Sequence, residues 1–217
     1  MIELQFGSSE RPVRQILCLG AHSDDIEIGC GGTLLRLVAS NPQLEVVWVV
    51  FSSSPERERE ARESAALFLA KASKSEVIVR DFRDGFFPFD GAKIKQLFEE
   101  LKQRFNPDIV FTHNKKDVHQ DHRTLAELTW NTFRNHAILE YEIPKYDGDL
   151  GRPNLFVPLD KELFRDKVRF LMTAFQSQRG KRWFEEETFL ALMRLRGMEC
   201  NADSGYAEAF YTRKLVL

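Results

Sequence analysis

The sequence predicts an α/β, Rossmann-like fold: a mostly parallel sheet with helices on both faces and a C-terminal extension of helices and a strand. Three observations carry this. Short apolar runs rich in β-branched residues alternate with longer segments whose apolar residues recur at helical spacing. The runs stop at glycine or at a polar loop, and the alternation loosens only after about Ile138. A chain of 217 residues fits a single domain, 1–217, around one buried core.

Taken in order, Gln15–Gly20 is an apolar run that stops at glycine and reads as the first strand, and Gly31–Ser40 has helical spacing, so a helix is expected from near Gly29. Glu45–Ser53, rich in Val, is the second strand, and the charged, Ala-rich Glu56–Lys71 is its helix. A third strand is expected at Glu76–Phe82. Beyond the turn residues of Asp84–Gly91, the segment Ala92–Phe105 sets Ile94, Leu97, Phe98, Leu101 and Phe105 on one helical face, and Asn106-Pro107 ends it. Asp108–Thr112 reads as a fourth strand and His122–Phe133 as a helix reached through a polar loop. A strand through Ile143, a Gly- and Pro-rich loop through Pro153, helices near Leu163–Gln176 and Trp183–Arg196, and a strand near Ala209–Leu217 complete the expectation.

Composition narrows the function classes. With 43% hydrophobic and 29% charged residues the chain is neither disordered nor membrane-like. Its longest clean apolar stretch, Val46–Phe51, falls far short of the roughly 20 residues a transmembrane segment needs. The N-terminal residues lack the basic, apolar, small-residue order of a signal peptide, which places the protein in the cytoplasm. The 3 cysteines are scattered without a CxxC pair, so any metal is to be sought among histidines and carboxylates. A net charge of −2 with interleaved signs disfavours nucleic acid as partner. The densest charge run, Glu56–Glu63, pairs Glu58 with Arg62 and Arg59 with Glu63 at i,i+4 and reads as a solvated helix face.

In open parallel sheets, ligands bind beyond the carboxyl ends of the strands, and two polar loops lie at such ends. One is Ala21-His-Ser-Asp-Asp25 after the first strand; the other is Asp117-Val-His-Gln-Asp-His122 after the fourth. They hold three of the five histidines, beside carboxylates. A catalytic zinc takes about three such ligands and keeps one position open. His22 and Asp25 supply two from one turn and His122 a third across the cleft. His119, one helical turn back, faces substrate if that stretch enters the helix, with Cβ atoms about 5–6 Å apart. Asp24 points away from Asp25 and is free to act as general base. Against this stands the plainer reading that Asp24 or Asp25 caps the helix. His113 and His136 are taken as structural, and the glycines at 29, 31 and 32, which do not fit GxGxxG, as close packing behind the loop.

Ala21-His-Ser-Asp-Asp-Ile-Glu-Ile-Gly-Cys-Gly-Gly-Thr33, together with His119-Gln-Asp-His122, resembles the paired motifs of the LmbE-like, or PIG-L, family of zinc-dependent N-deacetylases, over about residues 15–135. The ending Tyr206-Ala-Glu-Ala-Phe210 resembles a C-terminal signature of some bacterial members. The resemblance assigns zinc to His22, Asp25 and His122, the general base to Asp24 and oxyanion stabilisation to His119, with Asp121 orienting His119. One position departs: Ser23 stands where the family usually has proline, which puts the stiffness of that loop in question.

The substrate implied is a small-molecule N-acetylated amino sugar or a conjugate of one, of the N-acetylglucosamine type. Arg59 resembles a substrate-contacting arginine, and Asp117 either accepts sugar hydroxyls at the cleft mouth or holds its own loop. The aromatic stretch Phe82–Phe89 is read as core packing, with a sugar-facing wall or a homo-oligomer contact as alternatives. Glu208 is read as a buried partner of the site or part of an edge strand. Two other functions stay open: an amidase acting on a larger acyl group, and a non-catalytic Rossmann-like binder of sugar or nucleotide.

Overall fold

A computed structural model describes residues 5–7 and 12–216; the signal-peptide reading therefore falls partly, and Leu217 wholly, outside the described residues. The sheet has seven strands in the order β3-β2-β1-β4-β5-β7-β6. They are β1 Gln15–Gly20, β2 Glu45–Val50, β3 Lys74–Val79, β4 Ile109–His113, β5 Ala137–Tyr141, β6 Leu155–Pro158 and β7 Ala207–Tyr211. The first five run parallel, and β7 lies antiparallel between β5 and β6. The helices are α1 Asp25–Ser40, α2 Pro55–Phe68, α3 Gly91–Arg104, α4 Gln120–Thr132, α5 Lys161–Ala174 and α6 Glu186–Glu199.

Strand periodicity splits the core in two. On β1, Ile16 and Cys18 face the layer of α1, α2, α5 and α6, while Leu17 and Leu19 face α3 and α4, where Ile94, Phe98, Leu125 and Phe133 pack. The chain steps outward from β1 through β2 to β3 and then crosses back to β4. The connections leaving β1 and β4 consequently diverge and open a crevice at their carboxyl ends.

Two expectations need correction. The helix after the first loop begins at Asp25 rather than near Gly29. Glycine costs a helix about 1 kcal/mol relative to alanine, so three of them argue for a later start. Packing overrides this: a Cβ at Gly29 would lie 2.2 Å from the Tyr141 ring and one at Gly32 2.5 Å from Leu159. The close-packing reading of these glycines is thus the one the structure bears out. The second correction is β6, absent from the sequence-based expectation because four residues ending in proline leave little periodicity to detect.

Glu208, on β7, is buried and lies behind the site rather than in it. Its carboxylate accepts the N–H groups of Gly32 and Thr33 inside α1, each at 2.7 Å. Lys167 of α5 donates to Glu208 at 2.6 Å and to the Ile28 carbonyl at 2.7 Å. The extension thus grips the middle of the helix whose first residue is Asp25.

Candidate metal centre

Asp25 is the first residue of α1 and His22 lies one turn before it, so the short loop after β1 presents both toward the crevice. His122 comes from the first turn of α4. Their donor atoms converge: His22 Nδ1 lies 3.2 Å from His122 Nε2 and 3.4 Å from Asp25 Oδ2, and His122 Nε2 lies 3.7 Å from Asp25 Oδ1. Zinc with ligands at about 2.0–2.1 Å in a tetrahedron requires donor separations of about 3.3–3.4 Å. The two imidazole nitrogens have that separation, and each faces a different oxygen of Asp25, so the three residues are close enough to share an ion.

The remaining imidazole nitrogens are engaged by carboxylates, which fixes which nitrogen of each ring is free. His122 Nδ1 meets Asp117 Oδ2 at 2.9 Å. His22 Nε2 meets Asp84 Oδ1 at 3.0 Å and Asp121 Oδ2 at 3.3 Å. Overlapping groups of donor atoms could also gather an ion: His22, His119 and His122; Asp25, His113 and His122; and His22, Asp84 and Asp121. In the second group, His113 Nε2 accepts the Ala21 N–H at 3.0 Å, which occupies its lone pair. In the third, Asp121 is already an acceptor for two backbone N–H groups.

The electrostatics follow from this crowding. Burial would lower the His22 pKa, but hydrogen bonds to Asp121, Asp25 and Asp84 outweigh it and hold the ring protonated well above the usual histidine value in the metal-free protein. Burial would raise Asp25, yet the charges of His122 and His113 bring it well below the carboxylate norm. Asp24 goes the other way: burial raises it, against the pull of Arg57. Its Oδ1 is held by Arg57 at 2.9 Å, while its Oδ2 is buried and has no partner among the described residues. Asp24 makes no side-chain cap to α1, which removes the plainer reading of that residue.

The PIG-L family model, described as GlcNAc-PI de-N-acetylase, matches residues 17–133. The chain belongs to this family. Among curated relatives, the uncharacterized deacetylase YaiS of Escherichia coli K12 is 29% identical over 174 residues, covering 76% of this chain and 92% of YaiS. Two solved structures share the PIG-L chain's fold. The N,N'-diacetylchitobiose deacetylase of Pyrococcus horikoshii superposes with a TM-score of 0.72 at 21% identity, over 93% of this chain and 84% of that one. The 4-carboxy-2-hydroxymuconate hydratase GalB of Pseudomonas putida KT2440 gives 0.72 at 17%, over 94% and 98%. Since the fold hosts a hydratase as well as deacetylases, function has to be argued from the site.

Around the centre of this PIG-L chain, several residues differ from their expected roles. Asp121 bears on His119 through its backbone N–H and not through its carboxylate. It is fully buried, its oxygens accept the N–H groups of Gly85 at 2.6 Å and Phe87 at 3.1 Å, and its carboxylate contacts His22. It thereby binds the loop after β3 to the metal centre. Asp117 does not sit open at the cleft mouth: it is buried, Oδ1 accepts the His119 N–H at 2.8 Å, and Oδ2 faces His122. Burial opposes ionisation of Asp117, but the hydrogen bond and charge of His122 prevail and lower its pKa.

His119 precedes α4, and its Nδ1 accepts the Asp121 N–H at 3.3 Å. That bond leaves the ring proton on Nε2 when the ring is neutral. Burial, reinforced by the charges of His122 and His22, lowers its pKa.

Arg59 is exposed, whereas Arg57, two residues earlier and so about 200° around the helix, is the arginine of α2 that reaches the site. Arg62 pairs with Glu58 at 2.8 Å, as the spacing requires. Ser23 Oγ meets Ser53 Oγ at 2.9 Å, tying the loop after β1 to the connection between β2 and α2.

Three further residues belong to the site without having been singled out for it. His113, set aside as structural, ends β4 and stacks on His122 with ring centroids 3.9 Å apart. Its position as the last residue of a strand that feeds the crevice was the available signal. Asp84 had a similar signal, an Asp-Gly pair beyond β3. Arg57 had none, because its charge run looks like any solvated helix face. His136 packs on Phe133, away from the centre.

Proposed function

We propose that this protein is a zinc-dependent hydrolase that removes an N-acetyl group from an amino sugar or amino-sugar conjugate of the N-acetylglucosamine type. The observation that carries the reading is the convergence of His22, Asp25 and His122 beside a buried carboxylate oxygen, Asp24 Oδ2, that has no partner among the described residues. His22 Nδ1, a carboxylate oxygen of Asp25 and His122 Nε2 hold the ion. Bound there, zinc supplies Lewis-acid polarisation of a carbonyl and lowers the pKa of water to about 7.

The remaining chemistry belongs to side chains. Asp24 Oδ2 accepts the proton of the attacking water and returns it to the amide nitrogen as the C–N bond breaks, giving a free amine and acetate. Arg57 fixes the other Asp24 oxygen, so that Oδ2 is the one presented. His119 donates Nε2–H to the carbonyl oxygen as charge develops there, a contribution of about 2.7–4 kcal/mol for one such donor. The neutral tautomer already has this proton in place. Asp117, Asp121 and Asp84 orient the ligand imidazoles and contact no substrate in this scheme, and Arg59 contributes nothing.

The test is metal analysis with an acetate-release screen over N-acetylated sugars, nucleotide sugars and glycosides, with a chelator control. Acetate release that depends on zinc supports the reading. Release of longer acyl groups in preference to acetate would make it an amidase of another specificity. Zinc binding without any carboxylate release would overturn it and leave either a binder or the addition of water across a double bond, the activity named for the Pseudomonas relative.

A further inference from the structure

The connection between β5 and β6 carries a half-buried ammonium that touches no proposed ligand yet bears on one. Lys145 Nζ lies 3.0 Å from Asp117 Oδ2, the same oxygen that faces His122 Nδ1, and 2.6 Å from each oxygen of Asp149. Asp149 Oδ2 in turn accepts the Val118 N–H at 2.9 Å. The Lys145 side chain is 12% exposed and those of Asp117 and Asp149 are 4% and 9%. One cation thus lies between two nearly buried anions, and one of those anions orients a metal ligand.

We propose that Lys145 is a positioning residue for the metal centre: it couples the connection after β5 to ligand His122 through Asp117. With the ammonium present, Asp117 and Asp149 are both drawn to one Nζ, and Asp117 Oδ2 stays in line with His122 Nδ1. Without it, two carboxylates within 3.0 Å of the same vacated point repel each other in a poorly screened environment. Asp149 Oδ2 is held by the Val118 N–H and Asp117 Oδ1 by that of His119, so in Asp117 the repulsion acts on Oδ2, the oxygen that faces His122. Loss of such an orienting partner costs a metal site about 10–100-fold in affinity.

The proposal rests on the reading of His22, Asp25 and His122 as a zinc site, and the experiment separates the two. Zinc affinity is measured by chelator competition for the full chain and for Lys145→Met, Lys145→Arg, Asp117→Asn and the Lys145→Met/Asp117→Asn double variant, with Co(II) absorption as a report on ligand geometry. We expect Lys145→Met to weaken zinc binding about tenfold or more and to alter the Co(II) spectrum. Lys145→Arg, which keeps the charge, should stay within about threefold of the parent, and in the Asp117→Asn background Lys145→Met should change affinity by less than about threefold. Unchanged affinity in Lys145→Met, or equal losses with and without the Asp117 carboxylate, would overturn the role of Lys145 while leaving the zinc site standing. Absence of zinc binding by the parent chain would instead remove the site itself. Should Lys145→Met fail to fold, Lys145→Gln, which retains an N–H donor but not the charge, serves in the same comparison with the same expected direction.

Discussion

Replacing Arg57 with methionine isolates the control of Asp24. Arg57 donates to Asp24 Oδ1 at 2.9 Å, with the arginine side chain 17% exposed and the aspartate 5%. A cation this close lowers a carboxylate pKa by about 1–3 units. Burial works against it and keeps Asp24 above the usual aspartate value even with the arginine present. Methionine keeps an unbranched apolar stem but removes the charge, together with the guanidinium that lies 5.6 Å from the centroid of the Phe175 ring. Glu60, the second partner of Arg57, stays satisfied by the N–H and hydroxyl of Ser177 at 2.7 and 2.6 Å. The local damage is thus confined to Asp24.

If Asp24 is the base, the acid limb of kcat/KM against pH moves upward by about 1–3 pH units. Activity at high pH should then approach that of the parent. The assay is acetate release from an N-acetylated sugar across pH at saturating zinc. A uniform loss at every pH with an unmoved limb would refute the reasoning and make Arg57 a substrate contact rather than a partner of the base.

Asp24→Asn is expected to keep zinc content and lose about 10²–10⁴-fold in turnover, read from metal analysis and kcat. His119→Ala should lower kcat by about 10²–10³ at unchanged zinc content; loss of zinc would mean that His119, not His122, is the ligand. In urea titrations of the metal-free protein, the His22 contribution makes the folded state less stable at pH 8.5 than at pH 6, against the opposite trend from His119, His122 and His136, whose folded values burial lowers. His22, with its folded pKa raised, contributes stability that is full below its unfolded value of about 6.5 and fades as pH rises through the folded value. His22→Gln should flatten this difference. Below about pH 4 the sign reverses, because Asp25, Asp117 and Asp121 have lowered folded values and their contribution is lost as they protonate.

What was legible in the sequence is what depends on local pattern. The strand, polar loop and helix around His22 and Asp25, and the recurrence of that arrangement at His122, follow from periodicity and from where parallel sheets place their loops. The role of Asp121 was not legible, because it depends on which donors reach it from elsewhere, whereas Asp117, which accepts the His119 N–H, follows the loop-holding alternative that local pattern offered. Asp121 takes its N–H partners from the loop after β3, 36 and 34 residues away in sequence. Arg57 was obscured by its neighbours: among alternating charges only helix phase distinguishes the residue that turns inward, and a shift of two residues exchanges buried for exposed. Helix propensity alone puts the start of α1 later than Asp25, because the ring of Tyr141, which requires a glycine at position 29, comes from a distant part of the chain.

The proposed ligands and base lie within residues 17–133, the span matched by the family model, yet much of what holds them in place lies beyond it. Glu208 and Lys167 hold the middle of the helix that begins at Asp25. Ser177 backs Glu60, and Glu60 flanks Arg57. Lys145 and Asp149 bear on Asp117 and, through it, on His122. Each line of support reaches a different member of the centre: one ligand's helix, the partner of the base, and the other ligand's carboxylate. The C-terminal extension, expected as an appendage to the same domain, thus supports the candidate metal centre from behind, and altering it should change the geometry of the proposed site while leaving every proposed ligand in the sequence.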